Sequence, residues 1–333
     1  MNQKETTIKD GFGRVHDYLR ISLTERCNLR CFYCMPEEGV QLRDKAEFMT
    51  AEELVEIAKT FVALGVRKIR LTGGEPLIKK NAELVIRELG KLPIELAITT
   101  NGVIVDRFID VFKEAGLKSV NVSLDSLVEE RFNSISRRNH FQEIKKNISL
   151  LVENDFNVKV NVVVIRDVND SEIVDFVRWS MEERVKIRFI EFMPFDGNNW
   201  DRAKSVSFVE ILDRVEAEFG KDGYQKLEGL PNDTSRNFKL KNSLGDFGII
   251  SSVTNPFCDS CNRIRLTADG KIKNCLFSEE ESDLLTALRN SQEIIPIIHK
   301  AIGAKHKERG GLPEFSNEEV GKRKNRSMIT IGG

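Results

Sequence analysis

The sequence has no surplus of charge of either sign: 51 lysines and arginines face 52 aspartates and glutamates, a net charge of −1 over 333 residues. A nucleic-acid-binding chain normally carries a basic excess, so that class is disfavoured, and any anionic ligand must be held by cations placed locally. Long hydrophobic runs are also lacking. The most apolar stretches, such as Val162-Val163-Val164-Ile165, are strand-length, far short of the roughly eighteen residues a membrane span needs, so no membrane partner is expected. The N-terminal MNQKETTIKDGFGR has no apolar segment and does not read as a secretory leader, which makes the cytoplasm the expected compartment. Thiols stay reduced there, so the six cysteines call for something other than disulfides. No internal repeat appears beyond a β–α alternation, and no low-complexity segment.

What is present is a division of those cysteines into two triplets with none left over. Cys27, Cys31 and Cys34 form C-x3-C-x2-C; Cys258, Cys261 and Cys275 form C-x2-C-x13-C. From Tyr18 to about Pro194, short β-branched runs alternate with helical patterns. Strands are expected over Tyr18–Leu23, Val66–Thr72, Ile94–Thr99, Lys118–Leu124, Val158–Ile165 and Lys186–Phe192. Helices are expected from a Thr50/Glu53 capping box onward, over Val105–Ala115 before Gly116, and over Asp170–Trp179. Six β–α units with nearly continuous apolar strands predict a parallel sheet covered by helices. An α/β incomplete (β/α)6 barrel is the leading architecture and a doubly wound sheet its rival. Either puts ligands at the carboxyl ends of the strands. Apolar periodicity fades over residues 219–235, so we divide the chain into a barrel over residues 1–225 and a smaller C-terminal domain over 226–333 with a flexible tail.

Cys27 lies just past the first expected strand, in T-E-R-C-N-L-R-C-F-Y-C-M-P. Three thiolates so close suit a metal centre. Zinc usually takes four ligands in paired C-x2-C spacing, and the nearest histidine, His16, is a whole strand away; a zinc knob or unligated core cysteines remain the bland alternatives. Three cysteines on a four-iron cluster would leave one iron open. The second triplet lacks the second C-x2-C of a zinc ribbon, and a cluster with an open iron is again the leading reading. Arg263 and Arg265 follow Cys261 at spacing two on an expected strand, so they share one face. Two guanidinium forks there suit a polyanion such as a nucleotide phosphate chain, or else form a solvated face. Arg20, Arg70 and Lys159 also fall on expected strands; a cation inside a barrel calls for an anionic ligand or a buried salt bridge.

C-x3-C-x2-C after the first strand of a partial barrel resembles the radical S-adenosylmethionine (SAM) superfamily. The resemblance implies that the open iron binds the amino and carboxylate groups of SAM, and that reductive cleavage yields a 5′-deoxyadenosyl radical. It assigns SAM contacts to Tyr33, to Gly73, Gly74 and Glu75 of G-G-E-P, to Ser123 and to Met193. Nearly end to end, the chain is similar to the GTP 3′,8-cyclase (MoaA) family of molybdenum cofactor biosynthesis. The similarity runs through D-Y-L-R-I-S-L-T-E-R-C-N-L-R-C-F-Y-C-M-P, I-R-L-T-G-G-E-P-L, T-T-N-G, N-V-S-L-D-S, I-R-F-I-E-F-M-P, the C-x2-C-x-R-x-R-L-x-x-D-G-K block and a terminal Gly332-Gly333.

That family resemblance implies two [4Fe-4S] clusters, the second binding guanine. It places GTP contacts at Arg20, Arg70, Thr99, Lys159, Arg263, Ile264 and Arg265, and makes C3′-hydrogen abstraction lead to 3′,8-cyclo-7,8-dihydro-GTP. It also implies an electron donor, the next pathway enzyme (cyclic pyranopterin monophosphate synthase) as a partner, and a homodimer as the candidate assembly. The tail would thread back into the cavity, with Arg323, Lys324 and Arg326 guiding it toward an anionic ligand or simply forming a solvated run. The alternative enzyme is a radical SAM peptide maturase with an auxiliary cluster. The non-enzyme alternative, an iron–sulfur electron carrier, leaves G-G-E-P unexplained.

Overall fold

A computed structural model of the chain describes residues 7–36, 39 and 43–332. The six expected strands form β1 (Tyr18–Ser22), β2 (Lys68–Thr72), β3 (Glu95–Thr100), β4 (Ser119–Ser123), β5 (Asn157–Val164) and β6 (Lys186–Glu191). They pair in parallel in simple chain order. That order separates the two candidate architectures: a doubly wound sheet reverses its strand order at a switch point, and this sheet does not. The fold is an α/β partial barrel.

The later residues add strands to both of its edges. They comprise β7 (Tyr224–Lys226), β8 (Arg236–Leu240), β9 (Asp246–Ile250), β10 (Arg263–Leu266), β11 (Lys271–Lys273) and β12 (Ser282–Asp283). Strand β10 joins β1 in parallel, Tyr18 opposite Arg263 and Arg20 opposite Arg265, and β9 joins β6 in parallel. Antiparallel β11–β12 and β8–β7 finish the two ends of a 12-stranded sheet. Unpaired edges invite pairing; here the C-terminal segment supplies the partner strands.

The helices are α1 (Ala51–Ala63), α2 (Ala82–Gly90), α3 (Ile109–Glu114), α4 (Glu129–Ser136), α5 (Phe141–Glu153), α6 (Ile173–Glu182), α7 (Phe208–Phe219), α8 (Leu285–Arg289), α9 (Ile295–Gly303), α10 (Asn317–Gly321) and α11 (Met328–Ile331). The α1 start is the expected capping box: Glu53 N–H donates to Thr50 Oγ1 at 3.2 Å, and Thr50 N–H to Glu53 Oε2 at 2.8 Å. Leu54, Ile57 and Phe61 of α1, Phe112 of α3, Ile144 and Ile148 of α5 and Phe176 of α6 belong to one core cluster. Its sheet side is made by Leu19, Ile21, Ile69, Leu71, Val120, Val122, Val158, Val160, Ile187 and Phe189.

This corrects the expectation of nearly continuous apolar strands. Alternate residues, including Arg20, Arg70, Asn121, Lys159, Asn161 and Arg188, face a cavity on the sheet's other side. A parallel sheet curved into a partial barrel buries one face under helices and keeps the other for a ligand, and period two assigns the polar set to the inside.

Candidate active site

The first cysteine loop leaves β1 and is braced by the loop after β2. Gly74 N–H donates to Thr24 O at 2.6 Å and Glu75 N–H to Arg26 O at 2.7 Å. A Cβ on Gly73, whose φ is +150°, would lie 2.6 Å from Thr24 O, and one on Gly74 would overlap the Arg26 carbonyl. The glycines thus permit a close approach between two backbones. Glu75 is fully buried. Its Oε1 accepts from Thr100 Oγ1 at 2.8 Å and Leu77 N–H at 3.0 Å, and its Oε2 from Asn101 N–H at 2.6 Å. Burial pushes this carboxyl up to about 7 against those donors. Asn101 also points its amide at Cys27 Sγ, 3.7 Å away, while Leu29 N–H is 3.4 Å from the same sulfur. Tyr33 donates to Asp125 Oδ2 at 2.7 Å, and Asp125 Oδ1 accepts from Val163 N–H.

All three thiols resist ionisation. Burial and then Glu75 push Cys27 up to about 11. Burial, Asp125 and the neighbouring cysteines raise Cys31 and Cys34 as well. Three mutually repelling thiols beside two carboxyls become thiolates only with a cationic centre among them.

In the second triplet burial also raises Cys258, but Cys261 has the opposite surroundings. Cys258 and Cys261 precede β10 and Cys275 follows β11. Burial pushes Cys261 up, but Arg263 and Lys305 overcome it and bring the thiol down to about 6. Lys305 Nζ lies 3.4 Å from Cys261 Sγ and donates to Arg263 O at 3.0 Å; Arg309 N–H lies 3.4 Å from Cys258 Sγ.

Beside the second triplet opens a cavity of about 1440 Å³, counted out into its mouth. Its lining includes Cys258, Cys261, Cys275 and Met193. Among the described residues, eight basic ones (Arg20, Lys68, Arg70, Lys159, Arg188, Arg263, Arg265 and Arg309) face it against one acid, Asp233. The strand register makes this cluster: Arg20 stands between Arg70 and Arg265 on neighbouring strands. Burial and then Arg188, Arg70 and Lys68 hold the Lys159 ammonium down to about 7. Arg70 is spoken for, donating to Tyr18 Oη at 2.6 Å and to Ile98 O at 2.8 Å. Among the described residues, the side-chain oxygens of cavity-lining Asn121, Asn161 and Asn274, and of Thr99 on the strand beside Asn121, are buried without a hydrogen-bond partner. Buried polar atoms are normally satisfied, so a polar ligand is their natural complement.

Two family models divide the chain: Radical SAM superfamily over residues 21–180 and Molybdenum Cofactor Synthesis C over residues 185–310. The chain is 43% identical to "GTP 3′,8-cyclase, mitochondrial" of Arabidopsis thaliana, covering all of this chain and 85% of that protein. It is 39% identical to "GTP 3′,8-cyclase" of Listeria welshimeri, covering 98% and 99%. The chain belongs to the GTP 3′,8-cyclase family. It is also 43% identical to "Molybdenum cofactor biosynthesis protein 1" of Homo sapiens, of whose length it spans about half, 51%. Among solved structures, Streptococcus suis SuiB bound to S-adenosylmethionine has the same fold, with a TM-score of 0.63 at 12% identity over 96% of this chain and 70% of that one.

Membership in a radical SAM family brings a [4Fe-4S] cluster and SAM, and the electropositive requirement of Cys27, Cys31 and Cys34 fits the cluster. Of the residues assigned by resemblance to this cyclase family, Arg20, Arg70, Lys159, Met193, Arg263 and Arg265 all line the cavity. Ser123 ends β4 opposite cavity-lining Asn161. Ile264 turns the other way into the core, fully buried, because it alternates with the two arginines; only its backbone is left to meet a ligand. Tyr33 and Glu75 have protein partners for their polar groups, as above.

The tail packs against the protein as far as Gly332. Ile329 and Ile331 are buried, and Arg265 Nη1 donates to Gly332 O at 2.7 Å. A Cβ on Gly332, at φ +83°, would sit 2.6 Å from Thr72 Oγ1 and 2.8 Å from Ser22 Cβ. The tail therefore reaches the carboxyl ends of β1 and β2. Gly333 lies outside the described residues. The basic residues before it bind protein: Arg326 pairs with Asp269 and Glu281, and Arg323 donates to the carbonyls of Gly310 and Gly311. Sequence reasoning missed Arg188, Tyr18, Asn121 and Asn161. Their signal was the same period of two that linked Arg263 to Arg265. It missed Lys305 too, which no spacing to the cysteines flags.

Proposed function

We infer that this chain is a GTP 3′,8-cyclase of molybdenum cofactor biosynthesis. One observation carries the reading from the chain's own residues: among the described residues, eight basic side chains against one acid around a cavity in a protein of net charge −1. Such local concentration of charge suits a polyanion and focuses its field in a low-dielectric cleft. When bound, a cluster on Cys27, Cys31 and Cys34 supplies the electron for SAM cleavage, and the radical so produced drives closure of C3′ onto C8 of GTP.

The protein's part is to bind, orient and exclude water. Arg263 and Arg265 present forked donors to phosphate, with Arg20 and Lys159 completing the charge. Arg70, fixed by Tyr18 and Ile98, offers a charge whose position is set in advance. Thr99 supplies a hydroxyl to the nucleoside. Tyr33, Gly73, Gly74, Glu75, Ser123 and Met193 form the SAM side; Glu75 has one carboxylate lone pair beyond its three donors, the capacity left for an ammonium.

A second [4Fe-4S] cluster on Cys258, Cys261 and Cys275 would hold guanine at the cavity wall. Residues 1–225 then carry SAM, and residues 226–333 contribute the second cluster, two arginines and the tail. An electron donor, delivery of product to the next enzyme of the pathway, and a reducing compartment such as the cytoplasm go with this reading; all six cysteines are free thiols. Among the described residues no helix is long and apolar enough to cross a membrane. The peptide-maturase alternative leaves the concentration of cations without a ligand.

The test uses anaerobically reconstituted protein. Cys27→Ser, Cys31→Ser or Cys34→Ser should abolish 5′-deoxyadenosine formation. The combined Cys258→Ser, Cys261→Ser, Cys275→Ser variant should keep it and lose cyclised GTP. Cyclised GTP from the triple variant, or near-normal 5′-deoxyadenosine from any of the first three, would refute the two-site division.

A further inference from the structure

Three segments far apart in sequence meet in one ionic cluster beside the cavity. Arg326, six residues before Gly332, lays its guanidinium fork on Asp269: Nη1 to Oδ1 and Nη2 to Oδ2, both 2.9 Å. Its Nη2 also donates to Glu281 Oε2 at 2.5 Å, and its Nη1 stands 3.8 Å from Glu25 Oε1. Arg43 closes the cluster from the other side, donating to Asp269 Oδ2 at 2.9 Å and pairing with Glu25. The carboxylates are nearly shut off from water, with side-chain exposure of 4% for Asp269 and 5% for Glu25, against 19% for Arg326. Glu25 stands two residues before Cys27. Asp269 sits in the turn joining β10, the strand of Arg263 and Arg265, to β11.

We propose that Arg326 and Asp269 form a latch that holds the C-terminal tail in the cavity and fastens it to the loop bearing the first cysteine triplet. Bidentate, partly desolvated pairs are the strong class of ion pair, unlike exposed pairs of the Lys322–Glu318 kind (2.8 Å, side chains 57% and 79% exposed). The helix after the latch, Met328–Ile331, is a single turn, too short to hold itself. Its retention rests on the latch, on buried Ile329 and Ile331, and on the Arg265 bond to Gly332. Because Glu25 and Arg43 share the same carboxylate cage, tail seating and the geometry of the first cysteine loop are set by one cluster. Arg326 is thus a positioning residue: it acts on the reaction through the tail.

The activity arm of the test rests on the cyclase reading, whereas the proteolysis arm does not, so the two can fail separately. Trypsin sites at Lys322, Arg323 and Lys324 flank the latch and survive in both Asp269→Asn and Arg326→Gln. Release of tail fragments, followed by mass spectrometry, should quicken roughly tenfold in each variant, since cleavage tracks the population of the open tail. Arg326→Lys, which keeps charge without the fork, should fall between. In the reconstituted enzyme the same variants should form more 5′-deoxyadenosine per cyclised GTP, with kcat for cyclisation falling while KM for SAM stays near wild type. Tail cleavage within twofold of wild type in both variants would overturn the latch. Faster cleavage with an unchanged product ratio would overturn its role in the reaction. Should Asp269→Asn lower the stability of the whole chain, Arg326→Gln, on the tail itself, decides.

Discussion

Lys159 offers the sharpest quantitative test of the polyanion reading. Half-buried beside Arg188, Arg70 and Lys68, its ammonium is held from the ordinary 10.5 down to about 7. A bound triphosphate reverses the cause, because its charge outweighs the neighbouring cations. If the ligand restores the ordinary value, the linked energy is at most about 5 kcal/mol. At pH 8 the free protein carries only about 0.1 proton on Lys159, so GTP binding should take up about 0.9 proton. At pH 6 the residue is already charged and uptake should fall to about 0.1. The terminal phosphate is ionised at pH 8, and the arginines remain protonated throughout, so neither supplies this signal. The sign follows directly: GTP favours the protonated lysine, so affinity falls as pH rises above 7, by up to about tenfold per pH unit.

Calorimetric titration with GTP in two buffers of different ionisation enthalpy measures the uptake. Lys159→Met should bind more weakly at pH 6 and show little uptake at pH 8. Wild-type uptake below about 0.3 at pH 8, or equal uptake in the methionine variant, would refute the argument. In the ligand-free protein the same group makes stability rise with pH between about 7 and 10.5, because over that window the unfolded chain binds the extra proton.

Further outcomes follow from individual contacts. Gly74→Ala should overlap the Arg26 carbonyl and break the brace on the cysteine loop, costing about 1–3 kcal/mol. Thermal midpoint and iron content should both drop, while Gly303→Ala, with open space around it, leaves them unchanged. Arg265→Lys should weaken GTP binding by about tenfold or more and leave SAM binding alone; unchanged GTP affinity by calorimetry would return that arginine to a purely tail-holding role. Deleting Gly332-Gly333 should spare iron content and 5′-deoxyadenosine formation while suppressing cyclised GTP, and full cyclase activity would make the tip dispensable.

The chemistry-bearing residues were legible in the chain because their signals are local. C-x3-C-x2-C, G-G-E-P and R-x-R each lie within a few residues, and strand starts and caps such as Thr50/Glu53 follow from backbone hydrogen-bonding needs that neighbours satisfy. Less legible was which face a strand residue occupies. Arg20 and Arg70 sit among leucines and isoleucines on strands that read as nearly continuously apolar, and the sheet assigns alternate residues to opposite sides. The close approach of Gly73 and Gly74 to the Thr24–Arg26 backbone was illegible for a similar reason, because no local pattern names the segment they meet.

The sequence by itself determined the two cysteine triplets, the six β–α units and the family, since each rests on residue identity and short spacing. Only the tertiary structure decided that β9 and β10 extend the barrel's own sheet, that Arg20 stands between Arg70 and Arg265, and that Arg326 faces Asp269 rather than solvent. Those contacts join residues up to hundreds of positions apart. They arise when free strand edges find partners and when charges leaving water must each find a counter-charge, conditions that the folded chain meets as a whole.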